Sequence, residues 1–249
     1  MVDRVAVVTG GGGGLGLAIA ESLLRSGVRV AVLDRSSDAA ESAVAGLGAQ
    51  GLEAMPVTAD VADREDVESA FARVGQELGE PNILINNAGI SVDAGLRRIT
   101  DDDWQRTLDV NLTGVMLCTQ AATQRMVPQG FGRIINVSSR AWLGWMGQVS
   151  YSAAKGGVVS MTRSLAIELA KFGITANCIA PGLINTPMLQ AEPPEVMERL
   201  LLAQPSRSIG SPEDVAWAVE FFAAESSSAV TGQVLYVCGG KSLMAMPAL

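Results

Sequence analysis

Short apolar runs alternate with longer amphipathic stretches along this chain, and that alternation limits its possible folds more than any other feature. The runs predicted as strands are "RVAVVTG", "VRVAVLD", "LEAMPV", "NILINNAG", "GRIINVSS", "ITANCIAPG" and "GQVLYVCGG". The stretches predicted as helices lie at 15–26, 39–49, 64–78, 101–126, 150–172 and 212–224. Apolar strands joined by helices are typical of a parallel sheet covered on both faces. The predicted fold class is therefore α/β, a doubly wound parallel sheet of about seven strands with helices on both faces.

The chain has 249 residues, a length that an α/β protein commonly uses for one domain. We predict a single dinucleotide-binding and catalytic domain, 1–249. In such Rossmann-like sheets, ligands bind beyond the carboxyl ends of the strands. The segment 185–209, rich in Pro, Met and Leu, interrupts the alternation. We interpret it as a mobile helical lid over the substrate, with plain surface packing as the alternative.

The charge balance and the missing histidines narrow the range of partners. With 18 Lys and Arg against 26 Asp and Glu, the net charge of −8 repels nucleic acid and anionic membranes. Cys118, Cys178 and Cys238 form no CxxC pair, and without histidine they predict neither disulfides nor a metal site. The first strand begins near Arg4, which leaves no room for a signal peptide, and no apolar run nears the ~20 residues of a membrane span. We expect a cytoplasmic protein with a small-molecule substrate.

A run of five glycines joins the first predicted strand to the first helix, in "VTGGGGGLGLAIA". Backbone N–H groups at such a helix start, together with the helix dipole, can hold a pyrophosphate. A flexible turn is the alternative. The run fits GxGxxG at Gly11, Gly13 and Gly16, and also TGxxxGxG at Thr9, Gly10, Gly14 and Gly16. The residues predicted at the pyrophosphate are Gly10, Gly12, Gly13, Gly14, Leu15 and Gly16.

Asp34 ends the second predicted strand, 18 residues after Gly16. An acidic side chain there can accept hydrogen bonds from the adenosine ribose hydroxyls, and it repels a 2′-phosphate. Arg35 follows, and it can partly offset that repulsion, stack on adenine or simply be solvated. The glycine loop holds no basic residue. The predicted cofactor is therefore NAD rather than NADP.

Tyr151 and Lys155 can move a proton in a chain that has no histidine. They stand four residues apart at the start of a predicted helix, so both side chains lie on one face. A free tyrosine has a pKa of about 10, and a nearby ammonium or an oxidised nicotinamide favours the phenolate. Ser138 ends a strand 13 residues before Tyr151 and can donate a hydrogen bond to the substrate oxygen. Ser139 is the alternative, but the spacing to the tyrosine favours Ser138.

Taken together, these residues resemble the short-chain dehydrogenase/reductase family, in its branch of single-domain members of roughly 250 residues. The resemblance covers nearly the whole chain. It rests on Thr9-Gly10-x-x-x-Gly14-x-Gly16, Asp34, Asp60-Val61, Asn86-Asn87-Ala88-Gly89, Asn111, Ser138, Tyr151-x-x-x-Lys155 and "PGLINTPM" from Pro181. Cys238 departs from the family pattern, since many members have Asp or Asn there.

The resemblance implies a role for each matching residue. Tyr151 is the acid and base, and Ser138 orients the substrate oxygen. Lys155 lowers the pKa of Tyr151 and binds the nicotinamide ribose, and Asn111 completes a water-linked proton relay. The further cofactor contacts that it implies are Asp60, Val61, Asn87, Ala88, Gly89, Pro181, Gly182, Ile184 and Thr186. It also implies a homo-oligomer, usually a tetramer and sometimes a dimer, packed through the helices predicted at 101–126 and 150–172.

The loop "SRAWLGWMGQVS" and the lid predict a mostly apolar substrate pocket. Its candidate residues are Arg140, Trp142, Trp145, Met188 and Leu189. The two tryptophans are alternatives as its aromatic surface. Arg140, like Arg97 or Arg207, can hold a carboxylate or a phosphate, and solvated surface is the alternative.

We therefore expect an NAD-dependent oxidoreductase that transfers hydride between nicotinamide and a hydrophobic secondary alcohol or its ketone. The first alternative is a reductase of β-ketoacyl thioesters on a carrier protein or coenzyme A. The second is a non-catalytic dinucleotide-binding sensor or subunit, which the complete set of candidate catalytic residues disfavours. Zinc-dependent alcohol oxidation and Ser-His-Asp hydrolysis are set aside because the chain has no histidine.

Overall fold

Seven parallel strands form one sheet in the part of the chain that the computed structural model describes, residues 4–185, 189 and 193–243. The strands are β1 (Val5–Thr9), β2 (Arg29–Asp34), β3 (Ala54–Thr58), β4 (Ile83–Asn86), β5 (Gly132–Val137), β6 (Ile174–Pro181) and β7 (Val234–Val237). Their order is β3-β2-β1-β4-β5-β6-β7, and every neighbouring pair is parallel. The predicted doubly wound α/β sheet is confirmed.

Helices cover both faces of this sheet. They are α1 (Gly14–Arg25), α2 (Ser37–Gly48), α3 (Arg64–Glu77), α4 (Asp101–Leu108), α5 (Gly114–Gln129), α6 (Val149–Leu169), α7 (Pro194–Leu202) and α8 (Pro212–Ala223). Helices α1, α2 and α8 pack on one face through a core that includes Ile19, Leu47 and Phe222. Helices α3, α5 and α6 pack on the other face around Phe71 and Met126. Because both faces are covered, β1, β4, β5 and β6 are buried along their length, which explains their continuous apolar sequences.

The helix predicted at 101–126 is divided in the structure. A π-helical turn, Asp109–Thr113, separates α4 from α5. Inside that turn the side-chain amide of Asn111 donates to the carbonyl oxygen of Thr107 at 2.9 Å. In a regular α-helix, the backbone amide of residue 111 would bond that carbonyl. The side chain therefore replaces a backbone hydrogen bond, and the wide turn brings Asn111 against Ile90, just beyond β4.

The direction of strand addition reverses between β1 and β4, and this switch point opens a crevice at the carboxyl ends of the strands. The glycine run after β1, Asp34 at the end of β2 and Asn87 after β4 all reach this edge. Ser138 and Ser139 follow β5 at the same edge. Within the predicted lid, 185–209, the described residues include α7. No described helix has both the length and the apolar character that a membrane span requires.

Candidate active site

Two neighbouring cavities lie at the carboxyl edge of the sheet. The glycine-loop cavity, about 200 Å³, is lined by Gly10, Leu33, Asp34, Arg35, Ala59, Asp60, Val61, Ala88, Gly89, Ile90 and Val110. The tyrosine cavity, about 410 Å³, is lined by Ser91, Asp93, Ser139, Arg140, Ala141, Trp145, Gln148, Tyr151, Pro181, Gly182, Leu183, Leu200 and Gln204. The consecutive residues Ile90 and Ser91 belong to different cavities, so the two meet at this point of the chain.

The glycine loop adopts the TGxxxGxG form of the two spacings that its sequence allows. Gly10 and Gly14 have φ angles of 61° and 52°, in the left-handed region that favours glycine. Gly16 packs so tightly that a Cβ there would collide with the carbonyl oxygen of Gly10. At Gly13 and Gly14, by contrast, no described atom lies within 4 Å of the place where a Cβ would stand. The inner glycines therefore hold the loop against the sheet, while the outer ones leave space for a ligand in front of α1.

Asp34 closes the side of this loop. Its Oδ2 accepts a hydrogen bond from the Gly12 amide at 3.0 Å, and its Oδ1 accepts one from the Ser36 amide at 3.1 Å. A carboxylate offers about four acceptor sites, so Asp34 can still accept hydrogen bonds from ligand hydroxyls. Arg35 and Asp60 line the same cavity. The structure thus brings together the residues that the sequence predicted around an adenosine.

Thr9 and Asn87 tie the glycine loop to the end of β4. The Asn87 side-chain amide donates to the carbonyl oxygens of Thr9 and Gly10, at 3.0 and 3.1 Å. The Thr9 hydroxyl accepts hydrogen bonds from the amides of Asn87 and Ala88, both at 3.0 Å. Ala88 and Gly89 line the cavity, as predicted, but Asn87 does not. Asn87 therefore supports the loop instead of forming part of the cavity wall.

Lys155 is buried on α6, one turn after Tyr151, with 3% of its surface exposed. Its Nζ donates to the carbonyl oxygen of Val137, at the end of β5, over 2.9 Å. Burial lowers the pKa of Lys155 to about 8, and the nearby Cys178 opposes this shift. Nζ also lies 5.7 Å from the centroid of the Tyr151 ring. An ammonium has three donors, and this described contact uses one of them.

Ser139 lines the tyrosine cavity beside Tyr151, where the sequence placed Ser138. The Ser139 hydroxyl faces the phenol of Tyr151 across this cavity, and its effect is to lower the pKa of that phenol. The Ser138 hydroxyl instead donates to the carbonyl oxygen of Lys155 at 2.9 Å, and only 3% of Ser138 is exposed. The structure therefore does not place Ser138 at the cavity, as the sequence predicted, and Ser139 is the serine that lines it.

The position of the two serines relative to the sheet explains this difference. The Ser138 amide donates to the carbonyl oxygen of Ile179 at 2.8 Å, which adds one more step to the ladder between β5 and β6. Its side chain therefore still points toward the layer of α6. Ser139 is the first residue beyond the ladder, and its hydroxyl accepts a hydrogen bond from the Ala141 amide at the start of the 3-10 turn Arg140–Leu143. The chain turns at Ser139, which allows that side chain to face the cleft.

Tyr151 is half-buried in the tyrosine cavity. Burial raises the pKa of Tyr151 above its ordinary value of 10.0, the hydrogen bond with Ser139 opposes that rise, and the charge of Asp93 adds to it. Lys155 is not among the causes of this shift in the protein alone. In the protein alone, the balance of these effects favours the protonated phenol.

Asn111 lies fully buried between the two cavities and Lys155. Its side-chain amide donates to the carbonyl oxygen of Ile90 at 2.8 Å, and its Oδ1 accepts from the amide of Ile90 at 3.3 Å. A Cβ on Gly89 would stand 2.6 Å from Asn111 Oδ1 and 3.5 Å from Lys155 Nζ. Only glycine therefore fits between these two side chains, and the structure brings Asn111 and Lys155 together as predicted.

The described lining of the tyrosine cavity is about as polar as it is apolar, whereas the sequence predicted a mostly apolar pocket. Asp93, Gln148 and Gln204 line it together with Arg140. Gln148 donates to Asp93 Oδ1 at 2.9 Å. A backbone hydrogen bond from the Ala94 amide to the carbonyl oxygen of Gly147 joins the same two loops. The sequence alone does not identify these three polar residues, because they belong to segments with no motif and only the tertiary fold brings them to one cavity.

The two tryptophans after Ser139 have different surroundings. Trp145 lines the tyrosine cavity, and the Arg140 guanidinium lies 4.7 Å from the centroid of its ring. Trp142 stacks on Tyr236 with 6.5 Å between ring centroids and packs in a separate apolar cluster. Gly144, with a φ of 104°, turns the chain between them. Of the two predicted alternatives, Trp145 therefore lines the cavity and Trp142 does not.

The residues predicted after β6 separate into three groups. Pro181 and Gly182 line the tyrosine cavity. Ile184 is 9% exposed and packs in the core on the α1 face, so its side chain belongs to neither cavity lining. Thr186 and Met188 lie outside the described residues.

The predicted lid borders the tyrosine cavity. Leu200 from α7 and Gln204 just after it are part of the cavity lining. Leu189, which was predicted in the pocket, is buried at 9% exposure and does not belong to the described lining. The described part of 185–209 therefore contributes one apolar and one polar side chain to the site.

These two cavities together fit a dinucleotide beside a carbonyl compound. The open space at the start of α1 suits a pyrophosphate, and Asp34 suits ribose hydroxyls. Tyr151 and Ser139 present two hydroxyls that can hold one substrate oxygen, and Tyr151 can exchange a proton with it. Among the described residues, no cluster of Cys, Asp or Glu is arranged to hold a metal ion.

The chain is similar to known proteins in both sequence and structure. A family model described as short chain dehydrogenase matches residues 4–196. The chain is 44% identical to the (2S)-((R)-hydroxy(phenyl)methyl)succinyl-CoA dehydrogenase subunit of Thauera aromatica, over 98% of both chains. It is 42% identical to a 3-oxoacyl-(acyl-carrier-protein) reductase of Synechocystis, over 96% of this chain and 97% of the relative. A solved gluconate 5-dehydrogenase from Burkholderia cenocepacia, in complex with NADP and tartrate, superposes with a TM-score of 0.92 at 32% identity, covering 98% of this chain and 97% of that one.

Proposed function

This chain belongs to the short-chain dehydrogenase/reductase family, and from that premise we propose that it interconverts a β-hydroxyacyl thioester and the corresponding β-ketoacyl thioester. Two relatives support this proposal, because both match nearly the whole chain. One is named as a dehydrogenase of a hydroxylated succinyl-CoA and the other as a reductase of 3-oxoacyl groups on a carrier protein. The first alternative of the sequence analysis thus becomes the preferred function.

The composition of the tyrosine cavity also favours a thioester over a simple hydrophobic alcohol. A thioester substrate brings a second carbonyl and the amides of a pantetheine arm, which need hydrogen-bond partners when they are bound. Gln148, Gln204 and Ser91 provide such groups at the cavity wall. Ser91 and Gln148 each donate one hydrogen bond to Asp93, and Gln204 donates one to the carbonyl oxygen of Leu200. A thioester can use their remaining donors and acceptors, which a purely apolar alcohol cannot.

A nicotinamide dinucleotide, when bound, supplies or accepts the hydride. The loop amides before α1 would hold its pyrophosphate, and Asp34 its adenosine ribose. Lys155, with donors beyond its bond to Val137, would hold the second ribose. The fit rests on the space left by Gly13 and Gly14, and on the glycine at 89, where any side chain would collide with Asn111.

Tyr151 gives a proton to the substrate oxygen during reduction and takes one back during oxidation. Ser139 donates a second hydrogen bond to that oxygen, since its hydroxyl already faces Tyr151. The Lys155 ammonium is held by the Val137 carbonyl oxygen and favours the ionised phenol once the site is occupied. Asn111, next to Lys155 across Gly89, would continue the proton path toward solvent.

We propose NAD as the preferred cofactor because Asp34 lines the glycine-loop cavity where a 2′-phosphate would stand. Two like charges about 4 Å apart repel each other by roughly 1–4 kcal/mol, depending on the local dielectric. Arg35 lines the same cavity and limits that repulsion. The solved gluconate 5-dehydrogenase is in complex with NADP, so NADP is the alternative cofactor for this chain.

We also propose that the protein forms a homo-oligomer through α4, α5 and α6, as the family resemblance implies. Trp104 on α4 and Ile167 on α6 carry exposed apolar surface, 36% and 82% of their area. Light scattering after gel filtration measures the state directly. A monomer at micromolar concentration would contradict this proposal.

Substrate panels in the presence of NADH or NADPH test the proposed function. The panel contains acetoacetyl-CoA, the same acyl group on a carrier protein, and apolar ketones without a thioester. We expect kcat/KM to be highest for a thioester and higher with NADH than with NADPH. Faster reduction of simple ketones would instead support the secondary-alcohol dehydrogenase, a function that the apolar wall of Trp145, Leu183 and Leu200 would serve. Binding of NADH without turnover of any member would support the sensor.

A further inference from the structure

The guanidinium of Arg140 is a positive charge at the tyrosine cavity, and the proposed reaction does not use it. It is the residue directly after Ser139, in the 3-10 turn Arg140–Leu143. Its guanidinium carbon lies over the Trp145 ring, 4.7 Å from the ring centroid. The same side chain lines the cavity together with Tyr151. The charge therefore lies within the space where a substrate would react.

Within the described ranges, the Arg140 guanidinium forms no ion pair and no hydrogen bond, although it is half-buried. Burial lowers the pKa of Arg140, and the only opposing charge effect comes from Cys238. An arginine that leaves water usually finds acceptors for its five N–H donors. The described surroundings of Arg140 provide an aromatic face but no such acceptor.

Arg133 shows what a structural arginine looks like in this protein. It is 2% exposed, and its guanidinium lies 4.4 Å from the ring centroid of Phe131. In addition, its nitrogens donate to the carbonyl oxygens of Ala224 and Glu225, both at 3.2 Å, at the end of α8. Arg133 therefore has both a ring and a set of acceptors. Arg140 has the ring alone, and its donors remain available to a ligand.

Asp93, the carboxylate in the same cavity, does not neutralise Arg140. Its Oδ1 accepts hydrogen bonds from Ser91 Oγ at 2.8 Å and from Gln148 Nε2 at 2.9 Å. No salt bridge within 4.0 Å joins Asp93 and Arg140. Asp93 repels an anion on its own side of the cavity, so an anionic ligand group would be directed to Arg140.

We infer that Arg140 binds a carboxylate on the acyl group of the substrate, so the substrate class is a β-keto or β-hydroxyacyl thioester that carries a second, free carboxylate. This inference rests on the proposed function. Guanidinium and carboxylate match in geometry and form paired hydrogen bonds. The phosphates of coenzyme A or of a carrier protein offer similar chemistry, but they lie at the far end of an extended pantetheine arm. Arg140 shares a cavity of about 410 Å³ with Tyr151, which favours a group on the acyl chain near the reacting carbon.

Two matched pairs of coenzyme A thioesters test this inference. The first pair is 3-oxoadipyl-CoA and 3-oxohexanoyl-CoA, which differ by a terminal carboxylate against a methyl group. The second is the thioester of 2-acetylsuccinate and that of 2-ethylacetoacetate, which differ in the same way on a branch at C2. We expect the native protein to prefer the carboxylated member of at least one pair by about 10- to 100-fold in kcat/KM.

Arg140→Met should abolish that preference, mainly through KM, while the uncharged member keeps its kcat/KM within a few-fold. Arg140→Lys should restore part of it, because an ammonium keeps the charge but not the paired geometry. Arg98→Met is the matched control, since Arg98 is an exposed arginine on the loop near the cavity and does not line it. It should leave the preference unchanged. Thermal unfolding of each variant confirms that the fold persists.

A further comparison distinguishes a carboxylate on the acyl group from the phosphates of coenzyme A as the anion that Arg140 binds. Acetoacetyl-CoA is compared with acetoacetyl-N-acetylcysteamine, a thioester without phosphates. If Arg140→Met lowers kcat/KM for the first compound alone, Arg140 binds the phosphates and the inference is wrong. Equal kcat/KM within both matched pairs in the native protein would overturn it as well. Turnover of none of these thioesters would instead contradict the proposed function, and the inference would fall with it.

Discussion

The glycine-loop cavity and the tyrosine cavity are built in different ways. The first is shaped by backbone: two glycines with positive φ, a third packed against a carbonyl, and hydrogen bonds from Asn87 to main-chain oxygens. The second is lined by side chains from short turns and loops, such as Arg140 and Gln148. A wall made of backbone permits few residue types, whereas a wall made of side chains can change one residue at a time. We therefore expect the glycine-loop cavity to vary little among relatives and the tyrosine cavity to vary with the substrate.

A side chain at Gly16 should have the largest effect and should act on the backbone-built cavity. In Gly16→Ala, the new methyl group meets the Gly10 carbonyl oxygen, so the loop must move. We expect no measurable NADH binding and a loss of roughly 1–3 kcal/mol or more in the free energy of unfolding. Gly46→Ala, on α2 where no described atom lies within 4 Å of the new methyl group, is the control and should keep both properties. Normal NADH binding by Gly16→Ala would show that the loop is more adaptable than this comparison allows.

Substitutions of the neighbouring serines Ser138 and Ser139 test the tyrosine cavity and leave the glycine loop unchanged. Ser139→Ala removes the hydroxyl that faces Tyr151, and we expect kcat to fall by about 100- to 1,000-fold with the dissociation constant for NADH unchanged. Ser138→Ala removes a buried hydrogen bond to the Lys155 carbonyl oxygen instead. It should cost about 1–3 kcal/mol of stability and affect kcat far less. If Ser138→Ala were the more damaging for kcat, the assignment of this role to Ser139 would be wrong.

Asp34 is the side chain of the glycine-loop cavity that we expect to discriminate between NADH and NADPH. Asp34→Ser removes the charge that repels a 2′-phosphate while keeping a hydroxyl near the Gly12 amide. We expect the ratio of kcat/KM for NADH over NADPH to fall by about 10-fold or more. Arg35→Ser is the matched control, and it should move the ratio in the opposite direction, toward NADH. An unchanged ratio in Asp34→Ser would contradict the proposed NAD preference.

The smallest expected effect is the change that buried Lys155 causes in the free energy of unfolding as the pH changes. Its pKa is about 8 in the folded protein against 10.5 ordinarily, because it is buried. Between these values the unfolded chain holds a proton that the folded protein has lost, so folding is favoured as pH rises across this interval. Below pH 8 both states hold the proton, and the cost of burying the charge is then complete.

Denaturant unfolding of the native protein and of Lys155→Met measures this effect. The free energy of unfolding should rise more steeply with pH in the native protein than in the variant. Nuclear magnetic resonance gives the pKa directly, because Lys155, Lys171 and Lys241 are the lysines of the chain. In Lys171→Arg/Lys241→Arg the remaining signal belongs to Lys155. A titration near the ordinary lysine value would show that Lys155 is less buried than described.

The sequence could predict the sheet and the glycine-loop cavity because local patterns determine them. Continuous apolar strands arise wherever both faces of a sheet are covered, and they identified the strands of the observed sheet. The five glycines left two spacings open, since only the φ angles of Gly10 and Gly14 distinguish them. The π-helical turn at Asp109–Thr113 depends on one side-chain hydrogen bond of Asn111, which no periodicity reveals.

The tyrosine cavity could be predicted only in part. The positions of Tyr151 and Lys155 follow from helical spacing, but counting 13 residues from Tyr151 does not show which serine has left the sheet. That depends on where the last hydrogen bond between β5 and β6 forms. Trp142 and Trp145 were likewise equal candidates until the turn at Gly144 separated them.

Reduction of acetoacetyl-CoA by NADH, measured with the native protein and with Tyr151→Phe, tests the central claim most directly. The claim is that this protein moves hydride to a β-ketoacyl thioester while Tyr151 supplies the proton. The account predicts turnover by the native protein, and a loss of about 100- to 10,000-fold in kcat for Tyr151→Phe with NADH binding nearly intact. Substantial activity in Tyr151→Phe would contradict the claim, because the proton would then come from another group.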